Sequence, residues 1–318
     1  MTYKAINWNR IEDAIDKATW EKLTEQFWLD TRVPISNDLD DWRKLSQQEK
    51  DLVAKVFGGL TLLDTLQSEV GVESLVPHAR TQHEISVYRN VIFMEAVHAK
   101  SYSSIFSTLL TPKEIDDVFE WTHTHPTLQK KAQIIEDIYQ NGSSLERKIA
   151  SVFLESFLFY SGFFTPLYYL GNNKLPNVAE VIKLILRDET IHGTYIGYKG
   201  QLEFNELAVS EQSRIREWAY DLLMTLYENE LEYTHDLYDE IGWTDEVITF
   251  LEYNANKALM NLGFDPLFPT DASDVNPIIM NGISTGTSNH DFFSQVGNGY
   301  LLGQVEPTED DDYLMGLD

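Results

Sequence analysis

The chain has 318 residues, 43% hydrophobic and 24% charged, an ordinary composition for a globular protein. Its 24 basic residues face 51 acidic ones, a formal net charge of −27 that disfavours a nucleic-acid backbone or an anionic membrane as main partner. It has no cysteine, so disulfides, zinc–thiolate sites, cysteine-ligated iron–sulfur clusters and cysteine nucleophiles are excluded, and a reducing cytoplasm is the expected compartment.

The first residues, MTYKAINWNR, lack the apolar run of a secretion signal. The apolar stretch 152–160 is interrupted by Glu155 and is too short to span a bilayer, so no membrane segment is expected. In chain order, a helical pattern covers 11–29. A longer one covers 47–70, where Val53, Val56, Phe57, Leu60, Leu63, Leu66 and Val70 recur at helical spacing. After Gly71 and Pro77, a second long helix is predicted over 79–110, closed by Thr111-Pro112. Shorter helices fit 113–123 and 128–139. A helix over 144–170 ends at Gly171-Asn172-Asn173, and Pro176 opens another that runs to 207. Patterns over 210–241 and 245–262 complete the series. There is no alternating strand pattern and no repeat of 20–50 residues, so the expected class is all-α.

Composition shifts after Lys257. The last 61 residues contain no lysine or arginine, yet carry 10 acidic residues, 7 of the 17 glycines and 4 of the 10 prolines. A segment with so little apolar area does not offset its ordering entropy, so 288–318 is expected to be a mobile acidic tail behind a helical domain, 1–287. It is either a solubiliser or a peptide that docks through Tyr313, Leu314, Met315 and Leu317.

Four carboxylates interrupt apolar helix faces: Asp64 in GGLTLLDTLQ, Glu95 in VIFMEAVHAK, Glu155 in SVFLESFLFY, and Glu189 after LILRD. Ionised carboxylates are almost never buried without a partner charge or a metal. Two of them precede a histidine by three residues, as Glu95-Ala-Val-His98 and Glu189-Thr-Ile-His192, and that spacing puts both side chains on one helix face. Singly, each pair could be a structural hydrogen bond. Together the order is lone carboxylate, Glu-x-x-His, lone carboxylate, Glu-x-x-His, one per helix. This resembles the inward ligand set of ferritin-like dinuclear bundles. Four carboxylates and two imidazoles without thiolate suit iron or manganese. Two further matches are set aside: Glu120/His123 falls at a helix end before Pro126, and Glu232/His235 lies in an acid-rich face.

Tyr102 follows His98 by four residues and Glu95 by seven, on the same face, as a packing residue or an electron donor to oxidised metals. Phe159, Phe163 and Ile185 would wall such a site against water.

Here the residues resemble the small, radical-bearing β subunit of class I ribonucleotide reductase, nearest its class Ib branch. The carrying motifs are FWLD at 27–30, GGLTLLDTLQ, MEAVHAKSY, ASVFLESFLFYSGF, RDETIHG and the tail GYLLGQVEPTEDDD. The resemblance implies a ferritin-like bundle with extra helices and two Mn or two Fe ions per chain. Asp64, Glu95 and His98 would hold one ion, and Glu155, Glu189 and His192 the other, with Glu95 and Glu189 bridging. Tyr102 would carry a tyrosyl radical, with Trp28, Asp188 and the tail Tyr300 in radical transfer to a separate large subunit that reduces ribonucleoside diphosphates. It also implies a homodimer, docking through the C-terminal tail, and a flavodoxin-like activating protein for the manganese form. A di-iron oxidase or hydroxylase on the same bundle, and an iron-storage protein, are the alternatives.

Overall fold

The computed structural model describes residues 2–284, so the segment expected to be a tail, with Tyr300 and the terminal apolar residues, lies outside the described residues. The helices are α1 (Ala14–Glu25), a short α2 (Leu39–Lys44), α3 (Gln47–Leu66), α4 (Gln82–Leu109), α5 (Pro112–Thr124) and α6 (Pro126–Asn141). They continue as α7 (Ser144–Phe153), α8 (Tyr160–Gly171), α9 (Pro176–Asn205), α10 (Val209–Tyr238), α11 (Thr244–Asn261) and α12 (Pro277–Ser284). No strand occurs among the described residues, in keeping with the all-α expectation.

Local chemistry sets the helix starts. Ser46 accepts from the Glu49 amide while the Glu49 carboxylate returns to Ser46, and the same reciprocal cap opens α5 at Thr111/Glu114 and α7 at Ser143/Glu146. Pro112, Pro126 and Pro176 occupy first-turn positions, where a missing N–H costs nothing. Thr81 caps α4, so that helix begins later than its apolar pattern suggests. The helix expected over 11–29 stops at Glu25. Leu29 is already extended, and the chain alternates there: Trp28 is buried, while Phe27 and Leu29 face outward.

Four long segments form the core. α3 packs on α4, α4 on α9, α9 on α7 and α8, and α8 back on α3, a ferritin-like ring. α1 lies against α4 and α9, and α10 and α11 cover the α6–α8 side. The stretch expected as one helix over 144–170 is continuous but contains a π-helical turn, Leu154–Leu158. A second π turn, Gln67–Gly71, follows α3. The sequence reading of the apolar run as too short to cross a membrane needs correction. The helical segment Ser144–Gly171 is long and apolar enough, but its apolar window is 100% buried inside the fold, because its partners are the other helices of the ring.

Candidate metal centre

Six side chains converge in the middle of the ring. Asp64 comes from the end of α3, Glu95 and His98 from α4, Glu155 from the π turn after α7, and Glu189 and His192 from α9, and none is more than 1% exposed. Two overlapping sets form, each with donor atoms within 4.8 Å of one another: Asp64, Glu95, His98 and Glu189; and Glu95, Glu155, Glu189 and His192. Glu95 and Glu189 belong to both. The His98 Nδ1 lies 2.9 Å from Glu189 Oε1 and 3.5 Å from Glu95 Oε2. The His192 Nδ1 lies 2.8 Å from Glu95 Oε1, 3.4 Å from Glu189 Oε2 and 3.6 Å from Glu155 Oε2.

The helical spacing read from the sequence delivers Glu95/His98 and Glu189/His192 as pairs. Tertiary contact does the rest. Gly193, beside His192, lets α9 approach the π turn: a Cβ there would stand 2.2 Å from Ser156 Oγ and 3.4 Å from Glu155 Cβ. π turns widen a helix locally and recur at functional sites.

The electrostatics are lopsided. Burial first, then Glu95 and Glu189, push the Asp64 and Glu155 carboxyls well above their usual range. Glu189 goes the other way: burial opposes it, but the nearby Glu155 carboxyl and the adjacent histidines hold its pKa below the ordinary value. Burial alone would depress both imidazoles. For His98, Glu189 and Asp188 overcome it and raise the pKa; for His192, Glu155 and Glu189 do so. Fully ionised, the four carboxylates would outweigh the two imidazoles, and the raised Asp64 and Glu155 carboxyls register that repulsion. Among the described residues, both oxygens of Asp64, Glu95 and Glu189, Glu155 Oε2, and the inward nitrogens of His98 and His192 have no hydrogen-bond partner. Buried polar atoms are otherwise almost always paired. This donor set fits two divalent cations with oxygen and imidazole ligands.

Tyr102 is fully buried, its ring stacked on Phe57 at 5.7 Å, and its hydroxyl has no hydrogen-bond partner among the described residues. Burial first, then the Asp64 carboxylate, push its phenol well above the ordinary value. Phe159, Phe163 and Ile185 are fully buried too. Behind the site, His98 Nε2 meets Asp188 Oδ2 at 3.1 Å, and the Trp28 indole N–H donates to that same oxygen at 2.7 Å. The Trp28 ring lies parallel to His98 at 5.9 Å. Asp188 is held a second time by the Gln26 amide, 2.9 Å from Oδ1, a partner the sequence reading missed. Also missed was Gln67, which reaches Glu155. Its three-residue step from Asp64 was the only available signal. The two pairs set aside stay apart from the centre: α5 ends at Thr124 just past an exposed His123, and His235 is exposed and pairs with Asp239 at 3.0 Å.

Comparison with known proteins identifies the family. The family model for the small chain of ribonucleotide reductase matches residues 5–277. The chain is 53% identical to the ribonucleoside-diphosphate reductase subunit beta nrdF1 of Mycobacterium tuberculosis, over 97% of this chain and 96% of that protein. It is 52% identical to the ribonucleoside-diphosphate reductase 2 subunit beta of Escherichia coli, over 97% of each. Among solved structures, the dimanganese(II) NrdF of Streptococcus sanguinis superposes with a TM-score of 0.88 at 75% identity, covering 89% of this chain and 100% of that one. The chain therefore belongs to the ribonucleotide reductase small-chain family, the subunits that generate the radical for nucleotide reduction.

Proposed function

We propose that Asp64, Glu95 and His98 hold one metal ion and Glu155, Glu189 and His192 the other, with Glu95 and Glu189 shared, and that Tyr102 carries the radical. The observation that carries this reading is a buried phenol without a hydrogen-bond partner, beside a pocket of equally unpartnered carboxylates. Manganese or iron ions held there would, once oxidised by O2 or by an oxidant delivered through the activating protein, accept the electron that leaves Tyr102. The dimanganese relative supports manganese.

The chain's own residues perform the remaining tasks. Phe57 stacks on the Tyr102 ring, and with the fully buried Phe159, Phe163 and Ile185 it supplies the apolar surroundings that would shield a radical from water. Oxidation of Tyr102 requires its phenol proton to leave, and Asp64 is the carboxylate that acts on that phenol most strongly. Asp188 fixes the His98 ring through Nε2, which leaves Nδ1 for an ion. The hydrogen bonds from Trp28 through Asp188 to His98 form the internal end of a radical-transfer path, with Tyr300 as relay beyond the described residues. The partner is a large subunit that reduces ribonucleoside diphosphates. The chain acts as a homodimer in the cytoplasm, 1–287 forming the metal domain and 288–318 docking on the large subunit. A flavodoxin-like protein activates the manganese form.

Tyr102→Phe tests the reading. Both ions should stay bound by metal analysis, while the tyrosyl EPR signal and all nucleotide reduction disappear. Full activity in this variant would favour an oxidase on the same bundle.

A further inference from the structure

The four central carboxylates are not equivalent. Among the described residues, Asp64, Glu95 and Glu189 each have both oxygens without a protein hydrogen bond, whereas only one oxygen of Glu155 is left so. Its Oε1 accepts from the Gln67 side-chain amide at 2.5 Å. Gln67 opens the π turn after α3 and is fully buried. The same amide donates to Ser151 Oγ at 2.8 Å, one helical turn before Glu155, while its carbonyl accepts from the Tyr139 hydroxyl of α6 at 2.6 Å. Tyr139 thereby sets which end of the amide faces Glu155. Because an ionised carboxylate only accepts, the NH2 end is the one that suits it. The room is closed behind them: a Cβ on Gly71 would stand 2.1 Å from Gln67 Oε1 and 2.8 Å from Tyr139 Cε2.

We propose that Gln67, oriented by Tyr139, is a positioning residue that ties down Glu155 Oε1 and turns only Oε2 toward the ion shared with His192. The proposal rests on Glu155 being a ligand of that ion. It makes the two ions unequal, because the other lone carboxylate, Asp64, has no such restraint on either oxygen. Gln67 touches no reacting atom and acts through Glu155 alone. Hydrogen-bond partners of metal ligands typically change metal affinity by about 10- to 100-fold when removed.

The test is titration of the metal-free, full-length protein with Mn(II), reading bound metal and the EPR spectrum of the dimanganese(II) form. Gln67→Leu should weaken one of the two ions by about 10- to 100-fold and change that spectrum, while the other ion binds as in the parent. Parent affinity with the parent spectrum in folded Gln67→Leu overturns the proposal. Should that variant fail to fold in a thermal melt, Tyr139→Phe decides. It keeps the ring and removes the O–H that orients the amide, so it should show a smaller loss at the same ion; parent affinity overturns the proposal. Glu155→Ala separates the two layers. If it retains both ions, the ligand assignment fails and the positioning role falls with it. If it loses an ion while Gln67→Leu does not, only the positioning role fails.

Discussion

α4 and α9 build two buried clusters of carboxylates, a few turns apart. Toward the start of α4, Lys199 of α9 reaches Asp16 at 2.5 Å and Asp13 at 2.7 Å, with Glu84 at 3.8 Å. Hydroxyls complete the set: Tyr195 and Thr81 donate to Asp16 at 2.7 and 2.6 Å, and Tyr88 donates to Glu84 at 2.8 Å. No oxygen of these acids is left without a partner. In the middle of the ring, Glu95 of α4 and Glu189 of α9 meet Asp64 of α3 and Glu155 of the π turn after α7; among the described residues these four have no lysine or arginine as ion-pair partner and almost no hydroxyl, and most of their oxygens accept no hydrogen bond. The difference shows what each cluster is for. An internal ammonium makes the first a permanent strut between α1, α4 and α9. The second presents donor atoms whose charge only an added cation balances.

The comparison can be broken most severely at the metal centre. His192→Ala should abolish dinuclear occupancy and the radical, measured by metal analysis and EPR, while Lys199→Met should leave both ions in place. The next effect is on stability, with the roles reversed. Lys199→Met leaves buried acids unbalanced and should cost about 3–5 kcal/mol by denaturant unfolding. Burial lowers the Lys199 pKa, but Glu84 and Asp16 raise it more, so its net position is above the ordinary 10.5. A raised folded pKa means that this support is fully present below about pH 10.5 and is lost as pH rises through the folded value. The parent should therefore lose stability above that point, and Lys199→Met should lose less.

A smaller effect of opposite sign sharpens the contrast. Metal-free Asp64→Asn replaces a buried carboxyl whose ionisation Glu95 and Glu189 oppose, without changing shape, so it should melt at or above the metal-free parent in calorimetry. A lower melting temperature would mean that the centre already satisfies its own charge. The smallest effect is none: His123→Ala and His235→Ala should leave metal content unchanged, since both are exposed and distant in role from the centre.

The sequence legibly carried whatever depends on one helix at a time. Glu95 with His98, Glu189 with His192, and Tyr102 above His98 follow from helical periodicity alone. The caps at Ser46, Thr111 and Ser143 are equally local. α12 and the early end of α1 were not foreseen, because a short apolar segment and an extended one have no period of their own. The π turns at Gln67–Gly71 and Leu154–Leu158 left no composition signal, since their residues read as ordinary helix.

By itself, the sequence determined the helical class, the four inward carboxylates, the two Glu-x-x-His pairs and hence the kind of metal the centre suits. Tertiary structure brought Glu95 and Glu189, expected as bridges only through the family resemblance, into both donor sets, and it alone decided that Trp28 and Gln26 meet on Asp188. It also decided that Gln67, Tyr139 and Ser151 meet beside Glu155. The physical reason is range. Spacing along one helix is set by its own backbone hydrogen bonds, whereas Trp28 and Asp188 are 160 residues apart and meet only where packed helices place them.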